Sequence, residues 1–396
     1  MLYMRLAHGY LSFVQQQLPL PGASGSTIGS DTPFWFGSTD WQVDDGWATP
    51  LRLGRADGLS ERLRAAAQCA AGVRAEFDTD ASAVTLPIRG ADGDARQVVD
   101  LVVDGRLVER AEVERTGVER AGGERAGGDD RGLLTFALPG RLSRVEIWLP
   151  QRGNCQIGGL RLRDVTTVTA PPRRPRWIAY GSSITQCSAA DGPSSTWPAL
   201  VARRLGWDLT CLGFNGLAHL DLPVAGVIAA AQPDVVTVCA GINIFNQATF
   251  TADELAQRLR EFVAIIRGVG EHHDPIALRP VTIALMSPIT SPDREARRNS
   301  LDLTLQDVRR TVERIADQLP GVSTIAGPDL FGSGDADLLS DGLHPTAAGY
   351  RLMADRITPL LAELTDPPSA VSTPSDRGAA SDAQGVLHQP PTIVQQ

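Results

Sequence analysis

Lysine is absent from the chain, and all 37 basic residues are arginine. That reflects a coding bias more than a chemistry, and most of these arginines are expected on solvated faces. Forty-six acidic residues outnumber them, giving a net charge of -9 and a pI near 5.2, which excludes a general nucleic-acid-binding surface. Cysteine is scarce: Cys69, Cys155, Cys187, Cys211 and Cys239 are odd in number, widely spaced and form no CxxC pair. A disulfide framework and a structural zinc site are thereby excluded, and the pattern fits a reducing cytoplasm. No run approaches the roughly 18 apolar residues that span a bilayer. The first 25 residues hold one arginine and a short apolar patch broken by Gln15-Gln16-Gln17, a poor signal peptide, although secretion stays open. HExxH and a Walker phosphate loop are also missing, and no ligand cluster supports a metal site.

What is present suggests two domains and tails, since 396 residues exceed one ordinary domain and 42% of them are hydrophobic. Residues 1–33, rich in Gly, Ser and Pro, predict a poorly ordered lead-in. Residues 34–168 alternate in short runs such as Val84-Thr85-Leu86-Pro87-Ile88 and Val145-Glu146-Ile147-Trp148-Leu149, with turns such as Asp104-Gly105. This predicts a β-sandwich of jelly-roll type, with one helix within 59–71. Inside it, Val-Glu-Arg units recur every five residues from Val108, a period that matches neither helix nor strand. Residues 108–130 are therefore expected to be a solvated low-complexity loop. The proline-rich 169–176 reads as a linker, 177–364 as alternating strands and helices, and 365–396 as a disordered tail. The βαβα order indicates an α/β domain with a parallel sheet and helices on both faces.

Ligands of such sheets bind at the carboxyl ends of strands. Four loops are expected there. Gly181-Ser182-Ser183-Ile184-Thr185 follows the first strand, and Gly213-Phe214-Asn215-Gly216 the second. Gly241-Ile242-Asn243 follows the third, and Asp341-Gly342-Leu343-His344-Pro345 the last. Acyl transfer needs a nucleophile, a base, a group orienting the base, and oxyanion donors. Ser183, His344 and Asp341 can supply the first three. The N–H groups of Ser183 and Gly216 and the amide of Asn243 can supply the fourth. Ser182 and His219 are further candidates for contact with substrate. Cys187 lacks a basic neighbour in sequence that would make it a nucleophile.

These four motifs resemble, in chain order over about residues 176–362, blocks I, II, III and V of the SGNH/GDSL hydrolases. The resemblance implies a flavodoxin-like three-layer α/β/α fold, a Ser183-His344-Asp341 triad and no cofactor or metal. It also implies action on a small-molecule acyl ester or acyl donor, while the acidic charge and the lack of long apolar runs argue against a nucleic-acid or membrane partner. The β-rich region looks like the sandwich that precedes the catalytic domain in some bacterial members. Two departures stand out: Ser182 replaces the family Asp before the nucleophile, and Ile244 stands where Asp follows block III.

Other readings stay open at this point. Asp341 could be a helix cap with Pro345 as the first helical residue. Asp335 and Asp337 could compete as the orienting acid. The site could serve an acyltransferase, since hydrolysis and transfer share the acyl-enzyme. From another class, the chain could be a carbohydrate- or partner-binding protein with an inactive hydrolase domain. A flavodoxin-like nucleotide binder would leave His344 idle. The oligomeric state is not legible.

Overall fold

The computed structural model describes residues 26–90, 96–113, 132–268 and 280–365. Period-two alternation in the N-terminal region becomes two antiparallel sheets, of seven and six strands. One runs in the order Ser26–Ile28, Leu160–Arg163, Ala83–Gly90, Cys155–Ile157, Trp47–Leu51, Asp40–Asp44, with Leu133–Ala137 also on Ala83–Gly90. The other runs Val168–Thr169, Arg74–Thr79, Ser143–Trp148, Val98–Val103, Arg106–Glu112, with Trp35–Phe36 on Arg74–Thr79. Val84, Leu86 and Ile88 of the first and Phe77, Leu101, Val145 and Ile147 of the second belong to one apolar cluster. Burying their side chains away from water drives the association, at roughly 1.5–3 kcal/mol per large aliphatic side chain.

Several boundaries move. Residues 26–28 are a strand rather than part of a loose lead-in. The helix is short, Glu61–Ala66, capped by Ser60. The first repeat unit is not loop: Arg106–Glu112 pairs with Val98–Val103 across Asp104 and Gly105, whose φ values of 48° and 77° close a tight hairpin. Cross-strand pairing outweighs the sequence period there, and residues 114–130 lie outside the described residues. The linker is shorter too, because Val168–Thr169 and Arg176–Gly181 are strands. Residues 366–396 also lie outside the described residues.

The third sheet is wholly parallel, in the order Asp208–Gly213, Arg176–Gly181, Val235–Cys239, Thr282–Met286, Val322–Ile325. Numbered along the chain, that order is 2-1-3-4-5. Its helices pack in two groups, Trp197–Leu205 with Ala347–Thr365, and Leu222–Ala231 with Ala252–Ile266 and Leu305–Gln318. Each helix starts where its sequence allows. Thr196 caps Trp197–Leu205 by accepting the amide of Ala199. Thr251-Glu254 and Thr304-Asp307 form reciprocal capping boxes.

Asp208–Gly213 is an edge strand, and the N-terminal region covers it. Arg74 donates to the carbonyl of Leu209, and Arg52 to those of Cys211 and Gly213. Gly72, at φ 80°, lets the backbone reach this strand; a Cβ there would stand 2.7 Å from Cys211 Cβ.

Candidate active site

Register levels the strand ends. Gly181 pairs with Gly213, and Tyr180 with Val238, so the loops that follow open on one rim. The first loop turns at once into the short helix Ser183–Gln186. Of residues 181–187, Ser183 alone is not buried. The sequence builds this locally: Gly181 has no Cβ, which would otherwise sit 2.2 Å from Thr185 Oγ1. Ser182 is buried, and its hydroxyl accepts the amide of Ile184 as the helix N-cap. Ser182 therefore faces inward and offers no surface to a substrate, contrary to expectation.

Ser183 Oγ lies 2.7 Å from His344 Nε2, although the two are 161 residues apart. His344 Nδ1 lies 2.8 Å from Asp341 Oδ2. The other carboxylate oxygen, Oδ1, accepts the amides of His344 and Leu343 at 2.8 and 3.1 Å. Asp341 thus closes its own turn while bonding the imidazole. It is not a helix cap: Ala347–Thr365 begins later, where Thr346 Oγ1 accepts the amide of Gly349. Partial burial pushes the Asp341 carboxyl up, but the hydrogen bonds from His344 and Leu343 outweigh it and hold it below the ordinary carboxylate range. Asp335 is committed elsewhere, to Arg356 and the amide of Gly332.

Gly216 has φ 67°, a conformation that favours glycine, and open space where a Cβ would stand. Positive φ therefore requires the glycine, rather than crowding. Its carbonyl accepts from Gln247 Nε2 and from His219 Nε2 at 2.6 and 3.2 Å. His219 Nδ1 meets Thr249 Oγ1 at 2.9 Å, so both ring nitrogens serve the loop. The expected substrate contact is instead an internal brace. Asn243 is buried, and its Oδ1 accepts the amide of Ala218, which fixes the side-chain amide and leaves Nδ2 as its donor end. Asn215 donates its amide to Gln186 Oε1 and its side chain to Ser188.

Gln186 and Gln247 were not anticipated. Gln247 lies four residues after Asn243 on the helix Ile242–Gln247, and that spacing is a usable signal. Gln186 carries no comparable one. All five cysteines are free and buried, and burial pushes the Cys187 thiol well up, so it is no rival nucleophile. Among the described residues no group of three His, Cys, Asp or Glu side chains could hold a metal ion, and no helix is long and apolar enough to cross a membrane.

The profile of the GDSL-like lipase/acylhydrolase family matches residues 179–352. A curated protein of Clavibacter michiganensis subsp. michiganensis, named NAD(P)H-hydrate epimerase, is 33% identical over 160 residues, 40% of this chain. The match spans only 60% of that relative's length. Among solved structures, the salicylyl-acyltransferase SsfX3 from a tetracycline biosynthetic pathway superposes with a TM-score of 0.72 at 24% identity, over 86% of this chain and 97% of that one. A family two carbohydrate esterase from Cellvibrio japonicus gives a TM-score of 0.56 at 16% identity, over 86% and 98%. At these identities the structures share the fold, and both likenesses extend through the β-rich region as well as the parallel sheet. Residues 179–352 thus match the GDSL-like lipase/acylhydrolase domain, and the wider architecture is shared with these solved structures.

Proposed function

We propose that the protein is a serine-dependent ester hydrolase that works through an acyl-enzyme on small-molecule acyl esters. The observation that carries this is the continuous hydrogen-bonded chain Ser183 Oγ, His344 Nε2, His344 Nδ1, Asp341 Oδ2, at 2.7 and 2.8 Å. With Nδ1–H donating to the carboxylate, Nε2 presents its lone pair to the serine hydroxyl. Ser183 Oγ attacks the ester carbonyl as its proton passes to Nε2. The carbonyl electrons move to oxygen, and that oxyanion meets the N–H groups of Ser183 and Gly216 and Nδ2 of Asn243. Each such donor contributes roughly 3–4 kcal/mol to transition-state stabilisation. When the tetrahedral species collapses, the proton on Nε2 goes to the leaving alkoxide. Water, deprotonated by the same nitrogen, then releases the acid. Asp341 stays ionised and stabilises the imidazolium.

Replacing water by an alcohol or amine in the last step makes the enzyme an acyltransferase with the same residues. The 2-1-3-4-5 strand order and two helix groups support a flavodoxin-like three-layer domain over about 177–364. The two sheets sharing one core support a β-sandwich over about 34–168.

Wild type and Ser183→Ala, incubated with p-nitrophenyl acetate and with a fluorophosphonate probe, test the reading. Wild type is expected to hydrolyse the ester and take up the label. Ser183→Ala is expected to lose at least about 10³-fold in kcat and all labelling. A wild type inert to both reagents would leave the chain a binding protein. Equal labelling of the variant would move the nucleophile elsewhere.

A further inference from the structure

We propose that Arg52, supplied by the N-terminal β-rich region, is a positioning residue for the loop that carries Gly216. This rests on the esterase reading above. Arg52 follows the strand Trp47–Leu51 and is completely buried. Four of the five guanidinium N–H groups that arginine possesses are used on backbone carbonyls rather than on a carboxylate. Nε donates to Cys69 at 2.6 Å and Nη2 to Ala66 at 2.9 Å, both within the N-terminal region. Both hydrogens of Nη1 cross to the parallel sheet, reaching Cys211 at 2.8 Å and Gly213 at 2.9 Å. The guanidinium also stands over the Phe214 ring, 4.8 Å from its centroid.

Filling space at this junction needs no charge. A Leu or Met would pack there without the cost of desolvating a cation. The guanidinium gives what an apolar residue cannot, namely donors for the outward carbonyls of an edge strand at the point where that strand becomes the loop. Gly213 is the last residue of Asp208–Gly213, and Gly216 lies three residues beyond it. Phe214 is held from two sides: the cation lies over its ring, and its amide donates to Gly181 O at 2.8 Å. Gly181 is two residues before Ser183. Arg52 thus fixes the Gly216 loop relative to the strand that delivers the nucleophile, with the N-terminal region as the anchor. Oxyanion donors tolerate little misplacement, so a small shift of this loop lowers turnover more than it alters substrate affinity.

Arg74 is the natural control. It donates to Leu209 O on the same edge, four residues before Gly213, and is paired with Asp208 and Glu76. It holds the strand but not the loop.

Arg52→Lys and Arg74→Lys are compared with wild type by kcat and KM on p-nitrophenyl acetate from pH 5 to 9, and by hydrogen exchange resolved to peptides. Arg52→Lys is expected to lose about tenfold or more in kcat with KM within about twofold. The acid limb of its pH profile should not move, because the His344–Asp341 pair is untouched. Exchange over residues 211–217 should quicken while Val235–Cys239 stays protected. Arg74→Lys should keep kcat within about twofold, whatever it loses in melting temperature. Wild-type kcat and exchange in Arg52→Lys, or an equal kcat loss in Arg74→Lys, would overturn the proposal. If wild type shows no esterase activity, the functional reading falls, and the exchange difference alone decides whether Arg52 holds the loop. If Arg52→Lys does not fold, wild-type exchange decides. Protection at 211–217 matching Val235–Cys239 supports the proposal, and exchange as fast as exposed turns overturns it.

Discussion

The two halves of the molecule both bury neutral polar groups, but they differ in whether they bury charge. Among the described residues between 26 and 169, five charged side chains are buried: Arg52, Arg74, Glu76, Asp100 and Glu146. Among the described residues from 176 to 365, the buried polar side chains are all neutral, Ser182, Gln186, Thr237, Asn243 and Ser287 among them. The difference follows where these groups sit. The charges gather at the junction of the halves. Arg52 and Arg74 reach the edge strand, and Asp100 accepts both the amide and the hydroxyl of Ser194. Arg174, from the short connection between the halves, donates to Glu76. Ser182 and Asn243 cap a helix and orient a loop inside one domain, whereas Gln186 and Ser194 also reach across, to the Gln151 carbonyl and to Asp100. Charge here serves to fix one half against the other, and hydroxyl and amide groups serve to shape the rim.

Three changes can break or sharpen this contrast. The largest effect is expected from Arg110→Met. Arg110 makes a two-pronged pair with Asp100 at 2.7 and 3.0 Å and also reaches Ser195 Oγ at 3.1 Å. Removing it leaves a wholly buried carboxylate with Ser194 alone, at a cost of about 3 kcal/mol in urea unfolding. Asp100→Asn with Arg110→Met should restore most of that. If the single variant is as stable as wild type, the junction does not depend on charge. Ser182→Ala, on the neutral side, should cost about 1 kcal/mol as a lost N-cap and leave kcat within about threefold. A collapse of kcat would show that Ser182 does more than cap.

Glu146→Gln should have the smallest effect, visible in pH dependence. Burial, and then repulsion from Glu76, raise its carboxyl above the ordinary 4.5, against the pull of Arg203, Arg74 and the Trp148 N–H. A carboxyl raised in the folded state contributes stability that is present below its ordinary pKa and lost as pH rises through the raised one. Gln keeps an acceptor for Trp148 Nε1, 2.8 Å away in wild type, and has no proton to lose. The melting temperature of the variant relative to wild type should therefore rise by about 2 °C from pH 4 to pH 8. A constant difference across that range would remove Glu146 from the account.

Residues whose roles are set by neighbours in sequence were legible. Gly181 to Thr185 and Asp341 to Pro345 spell out a strand end, a turn and a tight acid–imidazole loop, each within a few residues. The strand Val235–Cys239, buried throughout, reads directly as a continuous apolar run. What could not be read depends on distance. Arg52 and its carbonyl partners are 159 and 161 residues apart, and a lone arginine near a turn looks like any solvated arginine. His219 is ambiguous for a related reason, because only the fold brings Thr249 and the Gly216 carbonyl to its two nitrogens. The Val-Glu-Arg period misleads since it is a property of the sequence alone, whereas Arg106–Glu112 takes its conformation from the strand beside it.

The covered edge of the parallel sheet has a consequence in time. A chain made from its N-terminus completes Arg52 and Arg74 well before Leu209, Cys211 and Gly213. Domains fold as units during synthesis, N-terminal first. When the edge strand joins the sheet, the guanidinium groups that occupy its outward carbonyls are already in place. A bare edge open to a strand from another copy is then never displayed on the nascent protein. Placing the same β-rich region after the parallel sheet would keep Arg52 and Arg74 able to reach the edge strand and reverse that order.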